Sequence, residues 1–136
     1  MNESEMQKEA FRAKRQNIVI FGIFAAVFIL LLTGVCVYLY RHSYSRAKWD
    51  ANPENRYKFV DDLLEKNPLA GMTEAEVIAL LGAEDGGERT SFKISRTYFP
   101  PESTLVYWLG VDFMDDNWLV ISLDGGKVTD YRIDLT

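Results

Sequence analysis

Residues 18–40 read IVIFGIFAAVFILLLTGVCVYLY, 23 positions in a row without a charged side chain. At about 1.5 Å per residue, a helix of this length reaches roughly 34 Å, enough to cross a bilayer core of about 30 Å. Tyr38 and Tyr40 lie at one end, with Arg41 directly after them, as in an interfacial aromatic belt. A cleaved signal peptide has an apolar region of only about 7–15 residues that ends in small residues. The stretch is therefore read as an uncleaved transmembrane helix, and the lipid bilayer is one partner of the chain. The rest of the sequence divides around it into an N-terminal tail (1–17), a juxtamembrane connector (41–52) and one folded domain (53–136).

Flanking charge says little about orientation. Lys8, Arg12, Lys14 and Arg15 precede the span, and Arg41, Arg46 and Lys48 follow it. The short tail is the easier end to leave in the cytoplasm. The expected arrangement is a single-pass plasma-membrane protein with an extracytoplasmic C-terminal domain. Gly22 and Ala26 form a small-xxx-small pair, a spacing that chance often produces, so it does not support a homo-oligomer by itself.

Charge is distributed unevenly. Before Asp50, seven Lys/Arg meet three Glu, a net of +4; from Asp50 onward, eight meet seventeen Asp/Glu, a net of −9. Phosphate contact relies on Lys and Arg, so no nucleic-acid partner is expected for such a domain. Anionic lipid surfaces repel it as well. The single cysteine, Cys36, excludes an intramolecular disulfide. The single histidine, His42, adjoins the span, which excludes His–Cys metal sites and His-dependent triads inside the domain. The acidic run Asp112, Asp115, Asp116, Asn117 sets carboxylates at i, i+3 and i+4, a spacing that could hold a hard cation such as calcium. It lacks the 12-residue calcium-loop pattern and its terminal Glu. A solvated loop is the default there. No catalytic residue, metal or cofactor is assigned.

The domain opens with helical signals. Pro53 suits a first helical turn, and Tyr57, Val60, Leu63 and Leu64 recur at helical spacing up to Asn67-Pro68. Next comes GMTEAEVIALLG at 71–82. Thr73 and Glu76 have the spacing of a capping box. Val77, Leu80 and Leu81 make one apolar stripe, and Gly82 can end the helix with a positive φ. So short a helix is marginal alone and needs a surface to dock on. Residues 83–103 read as irregular, with Gly86-Gly87 and Pro100-Pro101 as breakers and a short strand at 92–94 or 97–99.

From residue 104 the apolar period becomes two. Residues 104–109 (TLVYWL), 117–123 (NWLVISL) and 127–135 (KVTDYRIDL) read as strands, separated by a loop at 110–116 and by Asp124-Gly125-Gly126. A two-residue turn would pair Leu123 with Val128 and set Asp130 against Ile121. A three-residue turn with a Gly126 bulge pairs Leu123 with Lys127 and keeps one apolar face, so it is the expected register. Leu119, Ile121 and Leu123 then share a face with Thr129, Tyr131, Ile133 and Leu135. The other face holds Trp118, Val120 and Ser122 with Val128, Asp130 and Arg132. That register sets Arg132 opposite Trp118, within reach of a cation–π contact. The expected fold class is α+β: two short helices packed on a small antiparallel sheet, after the transmembrane helix.

The ordered set GMTEAEVIALLG, LVYWLG and WLVISLDGGKVTDYRI resembles the SmpA/OmlA (BamE-like) domains of the bacterial cell envelope. It is also similar to the repeats of β-lactamase-inhibitor-like (BLIP-like) proteins. The resemblance covers about residues 53–135. It implies a two-layer α/β fold outside a membrane, used for protein–protein contact and not for catalysis. Cys36 follows Val35 in TGVC, a poor lipobox, so anchoring by an uncleaved helix replaces the lipoprotein anchor of outer-membrane members.

The function expected from these readings is a membrane-anchored, non-enzymatic interaction module whose partner is an envelope protein. Two alternatives stand beside it: a small single-pass subunit acting mainly through its transmembrane helix, and a divalent-cation-binding domain. The candidate partner surface is the sheet face away from the helices, with Trp118, Val120, Arg132 and Trp108, since Trp and Arg are enriched at binding hot spots. The competing reading has the 83–103 segment folding over that face.

Overall fold

The computed structural model describes residues 2–86 and 94–135. It combines one long apolar helix with a three-stranded antiparallel sheet and several short helices. Two compact units, Met1–Tyr40 and Arg41–Thr136, divide the chain.

In the first unit, α1 (Glu3–His42) has no buried residue and is long and apolar enough to cross a membrane. Its 40 residues correspond to roughly 60 Å at about 1.5 Å per residue, near twice a bilayer core. The residues read as a tail are helical from Glu3 onward. Their composition explains this: Glu, Met, Gln, Lys, Ala and Arg are strong helix formers.

The second unit begins earlier than the sequence suggests. Helix α2 (Arg46–Ala51) lies within the stretch read as a connector, and its Trp49 is fully buried at the centre of the main core. Tyr44, Phe59 and Tyr107 set their rings edge-on to it at 6.0–6.3 Å. Residues 44–51 therefore belong to the fold. A 3₁₀ turn (Pro53–Lys58) and α3 (Val60–Lys66) follow where one helix was expected. The break falls at Phe59, which turns its ring inward.

Helix α4 (Glu74–Leu81) carries the capping box in full. The Glu76 N–H donates to Thr73 Oγ1, and the Thr73 N–H donates to Glu76 Oε2 at 2.7 Å. These bonds to the backbone and hydroxyl of Thr73 hold the Glu76 carboxyl below its ordinary pKa. Val77 and Leu81 are buried, while Leu80 is only half-buried. At the other end, Gly82 adopts φ +88 and ψ −175, a region essentially restricted to glycine. The last carbonyls are taken by side chains from elsewhere. Arg46 Nη1 donates to Ala79 O, the Tyr44 hydroxyl to Leu80 O and the Tyr107 hydroxyl to Gly82 O, at 2.8–2.9 Å. Burial raises the pKa of both tyrosines, so both keep the proton they donate.

The sheet order is β1-β2-β3, with β1 (Thr104–Asp112), β2 (Asp115–Asp124) and β3 (Lys127–Leu135). The main core lies between the helices and the sheet face formed by Leu105, Tyr107, Leu109, Leu119, Ile121 and Val128. The last hairpin corrects the expected register. Gly125-Gly126 is a two-residue turn, with Asp124 opposite Lys127 and Leu123 opposite Val128. A bulge at Thr129 then shifts the strand, so that Ile121 faces Tyr131 and Ser122 faces Asp130. The bulge resolves the conflict that argued against a two-residue turn: it keeps Asp130 off the apolar face and moves Val128 onto it. Arg132 accordingly faces Val120, not Trp118.

The stretch read as a loop at 110–116 is mostly strand. β1 runs through Asp112 and β2 starts at Asp115, leaving Phe113 and Met114 as the turn. A bulge at Leu109 brings Gly110 against the 3₁₀ turn. A Cβ at Gly110 would lie 2.2 Å from the Glu54 carbonyl oxygen, so only glycine allows this approach. Residues 97–99 form turns and not a strand, and most of the alternative at 92–94 lies outside the described residues.

The two sheet edges differ. Along β1, the Val106 N–H donates to Glu84 Oε2 (3.0 Å) and its carbonyl accepts from the Asp85 N–H (2.9 Å). The Trp108 N–H donates to Asp85 Oδ2 (3.2 Å), and its carbonyl accepts from Arg56 Nη1 (3.0 Å). The Thr104 carbonyl accepts from Arg96 Nη2 (3.3 Å). Arg56 and Asp85 are themselves a buried ion pair, with the Arg56 guanidinium 4.6 Å from the Trp49 ring centroid. Along the outer edge of β3, the described residues bond only at its start: Gly71 and Met72 bond to Val128, and Glu74 to Gly126 in the turn just before the strand.

Candidate functional site

The sequence points to Trp118, Val120, Arg132 and Trp108 as a partner surface. Three of these are buried. Trp118 is 0% exposed and packs with Trp108, Val106, Val120 and Ile94, with Phe99 against them, in a second core. Residues 94–99 thus cover the sheet face that was proposed to be free, as the competing reading had it. Trp108 Nε1 donates to Asp116 Oδ1 at 2.9 Å. Of the four, only Arg132 reaches solvent. Its guanidinium lies 5.5 Å from the Phe99 ring centroid and 3.3 Å from Asp134 Oδ2. The cation–π contact exists, but with Phe99 and not Trp118.

The acidic run does not form a loop. Asp115 and Asp116 are β2 residues, Asn117 is buried, and the side chain of Asp112 lies outside the described residues. Asp116 points to the second core, where it holds Trp108. Among the described residues, no three His, Cys, Asp or Glu side chains converge on a metal-sized site. The buried ion pair of Arg56 and Asp85 is occupied with backbone and Trp49, so it organises the β1 edge.

Among the described residues of the second unit, the two most exposed large apolar side chains are adjacent. Phe113 is 96% exposed and Met114 82%, at the tip of the β1–β2 hairpin, with Val111 partly exposed beside them. Phe113 also has φ +65, the one non-glycine residue with positive φ among those described. A two-residue hairpin turn ordinarily places Gly, Asn or Asp at such a position. An aromatic ring there stores strain of about 1–2 kcal/mol. A residue that breaks the local turn rule and also leaves its ring in water marks a functional or strained position. In the sequence the signal is Phe113-Met114 set between Asp112 and the pair Asp115-Asp116, a pattern that also reads as a solvated loop.

Comparisons with protein-family models, with curated proteins and with solved structures give no match.

Proposed function

We propose that the chain is a membrane-anchored, non-enzymatic interaction module of the bacterial cell envelope, of the kind that the resemblance to SmpA/OmlA (BamE-like) and BLIP-like domains implies. In this reading, α1 holds the protein in the plasma membrane and the domain from Arg41 onward faces the extracytoplasmic side. The partner is an envelope protein, met through the β1–β2 hairpin tip. The tryptophan face is not part of that contact.

The observation that carries the reading is the exposed, strained Phe113-Met114 turn. Among its described residues, the domain packs most of its other large aromatics into two cores, with Tyr98 left 81% exposed, and engages the buried Arg56 and Asp85 with each other. It leaves these two apolar side chains in water at a cost in backbone strain. Aromatic residues and Met are enriched in protein interfaces, where such exposure is offset by burial on binding.

The test is co-purification from native membranes with the full chain and with a Phe113→Ser/Met114→Ser variant. The variant keeps the fold, since neither side chain is buried, and it loses the partner recovered with the unaltered chain. Recovery of the same partner with both would remove the hairpin tip from the contact.

A further inference from the structure

The free edge of β3 has a sequence that can pair with itself. Strand alternation fixes which of its groups point outward. The Val128 N–H and carbonyl face away from β2, towards Met72 and Gly71. Beyond the Thr129 bulge, the outward positions are Tyr131, Ile133 and Leu135, while Asp130, Arg132 and Asp134 bond towards β2. Among the described residues, nothing bonds to the outward backbone groups of Tyr131 and Ile133. The Leu135 N–H is held only by the neighbouring Asp134 Oδ1 at 3.0 Å. Ile133 is 44% exposed and Leu135 61%. Among the described residues, no segment covers this edge beyond the Thr129 bulge, and no charged side chain caps its outward backbone groups at Tyr131 and Ile133. The β1 edge of the same sheet has both.

We infer that this edge pairs antiparallel with β3 of a second copy, centred on Ile133, to give one continuous six-stranded sheet. The register follows by elimination. Outward residues must meet outward residues, so the two-fold axis passes beside Tyr131, Arg132, Ile133 or Asp134. Centring on Tyr131 would bring Leu135 of one copy to Lys127 of the other, where Thr73 is already bridged. Centring on Arg132 would oppose two guanidiniums and set Asp130 against Asp134 twice. Centring on Asp134 would oppose two carboxylates. Centring on Ile133 opposes Ile133 to Ile133, Tyr131 to Leu135 and Arg132 to Asp134. The charged pairs then lie on one face and the apolar pairs on the other. Arg132 and Asp134 already lie 3.3 Å apart within one chain, so the pairing exchanges a contact made along the strand for one made across it. Opposite charges directly facing across antiparallel strands are favourable, and like charges are unfavourable.

The test uses the full chain in detergent with Cys36→Ser, so that an added cysteine is the only thiol. Across an antiparallel pair, the two Ile133 Cα atoms come about 5.5 Å apart, within disulfide range. Ile133→Cys forms a covalent dimer on mild oxidation, and Tyr131→Cys does not, because its equivalents lie about four residues apart along the strands. Arg132→Glu alone and Asp134→Arg alone each weaken self-association about tenfold. The doubly exchanged chain restores it, and so does a mixture of the two single variants, in which every facing pair is again of opposite sign. The proposal is overturned by a chain that stays monomeric at all concentrations, as it would if a strand of another protein takes the edge. Cross-linking at Tyr131 as efficient as at Ile133 also overturns it. So does a dimer indifferent to the charge exchanges, which would place association in α1.

Discussion

Phe113→Gly separates the stability of the domain from its proposed use. The Phe113 backbone has φ +65, which costs an L-residue about 1–2 kcal/mol and costs glycine nothing. Against this, glycine loses more backbone freedom on folding, by roughly 0.5–1 kcal/mol. The ring is 96% exposed, so its removal forfeits almost no burial. The balance is a gain of about 0.5–1 kcal/mol, or a rise in melting temperature of about 2–8 °C for a domain of roughly 100 residues. Thermal unfolding of the full chain in detergent, followed by far-ultraviolet circular dichroism, measures it. Phe113→Ser is the control: it removes the ring but keeps the strained backbone, so its midpoint stays within about 0.5 kcal/mol of the parent. Both variants lose the envelope partner, one while more stable than the parent. If Phe113→Gly lowers the midpoint, the ring is packed against the domain, and the argument that the tip is free for a partner fails.

Trp118→Ala loses about 3–5 kcal/mol, the range for emptying a large buried aromatic site; an unchanged melt would mean that the second core does not close over the tryptophan. A fragment starting at residue 53 lacks Trp49 and melts without a cooperative transition, whereas one starting at Arg41 unfolds cooperatively. The Glu76 carboxyl has a lowered pKa in the folded chain, so its stabilisation is present above the unfolded value of about 4.3. It is lost as pH falls through the lower folded value; Glu76→Gln flattens that part of the stability profile, and an unaltered acid limb would refute the capping contribution. Alkaline phosphatase fused after Thr136 is active if the domain is extracytoplasmic, and activity only of a cytoplasmic reporter at the same position would reverse the orientation.

Elements bounded by local chemistry were legible in the sequence. The capping box of Thr73 and Glu76 and the stop at Gly82 are nearest-neighbour signals, and they appear as read. The uncharged run at 18–40 needs only counting, and it lies within α1. The face shared by Leu119, Ile121, Tyr131 and Ile133 follows from alternation. Features that depend on distant contacts were not legible. Trp49 falls in the stretch 41–52 that reads as a connector, and only its meeting with Phe59 and Tyr107 shows it to be core. A bulge at Thr129 satisfies both the tight Gly125-Gly126 turn and the placement of Asp130, whereas pattern reasoning treated these as exclusive. The candidate site failed for a related reason. Residue type alone does not tell a tryptophan that meets a partner from one that meets Ile94 and Phe99 of its own chain.

The unequal edges of the sheet set a limit on growth. Side chains and the 84–85 segment occupy the outer hydrogen-bonding positions of β1 from Thr104 to Trp108, so no further strand can add there. A strand that joins the sheet must join at β3, and only once. If the added strand is a second β3, the new sheet ends in two β1 edges, both closed. Strand addition, which in a sheet with two open edges propagates into a fibre, terminates here at a count of two. If α1 spans a membrane as proposed and concentrates the chain in its plane, this is the difference between a finite assembly and a polymer.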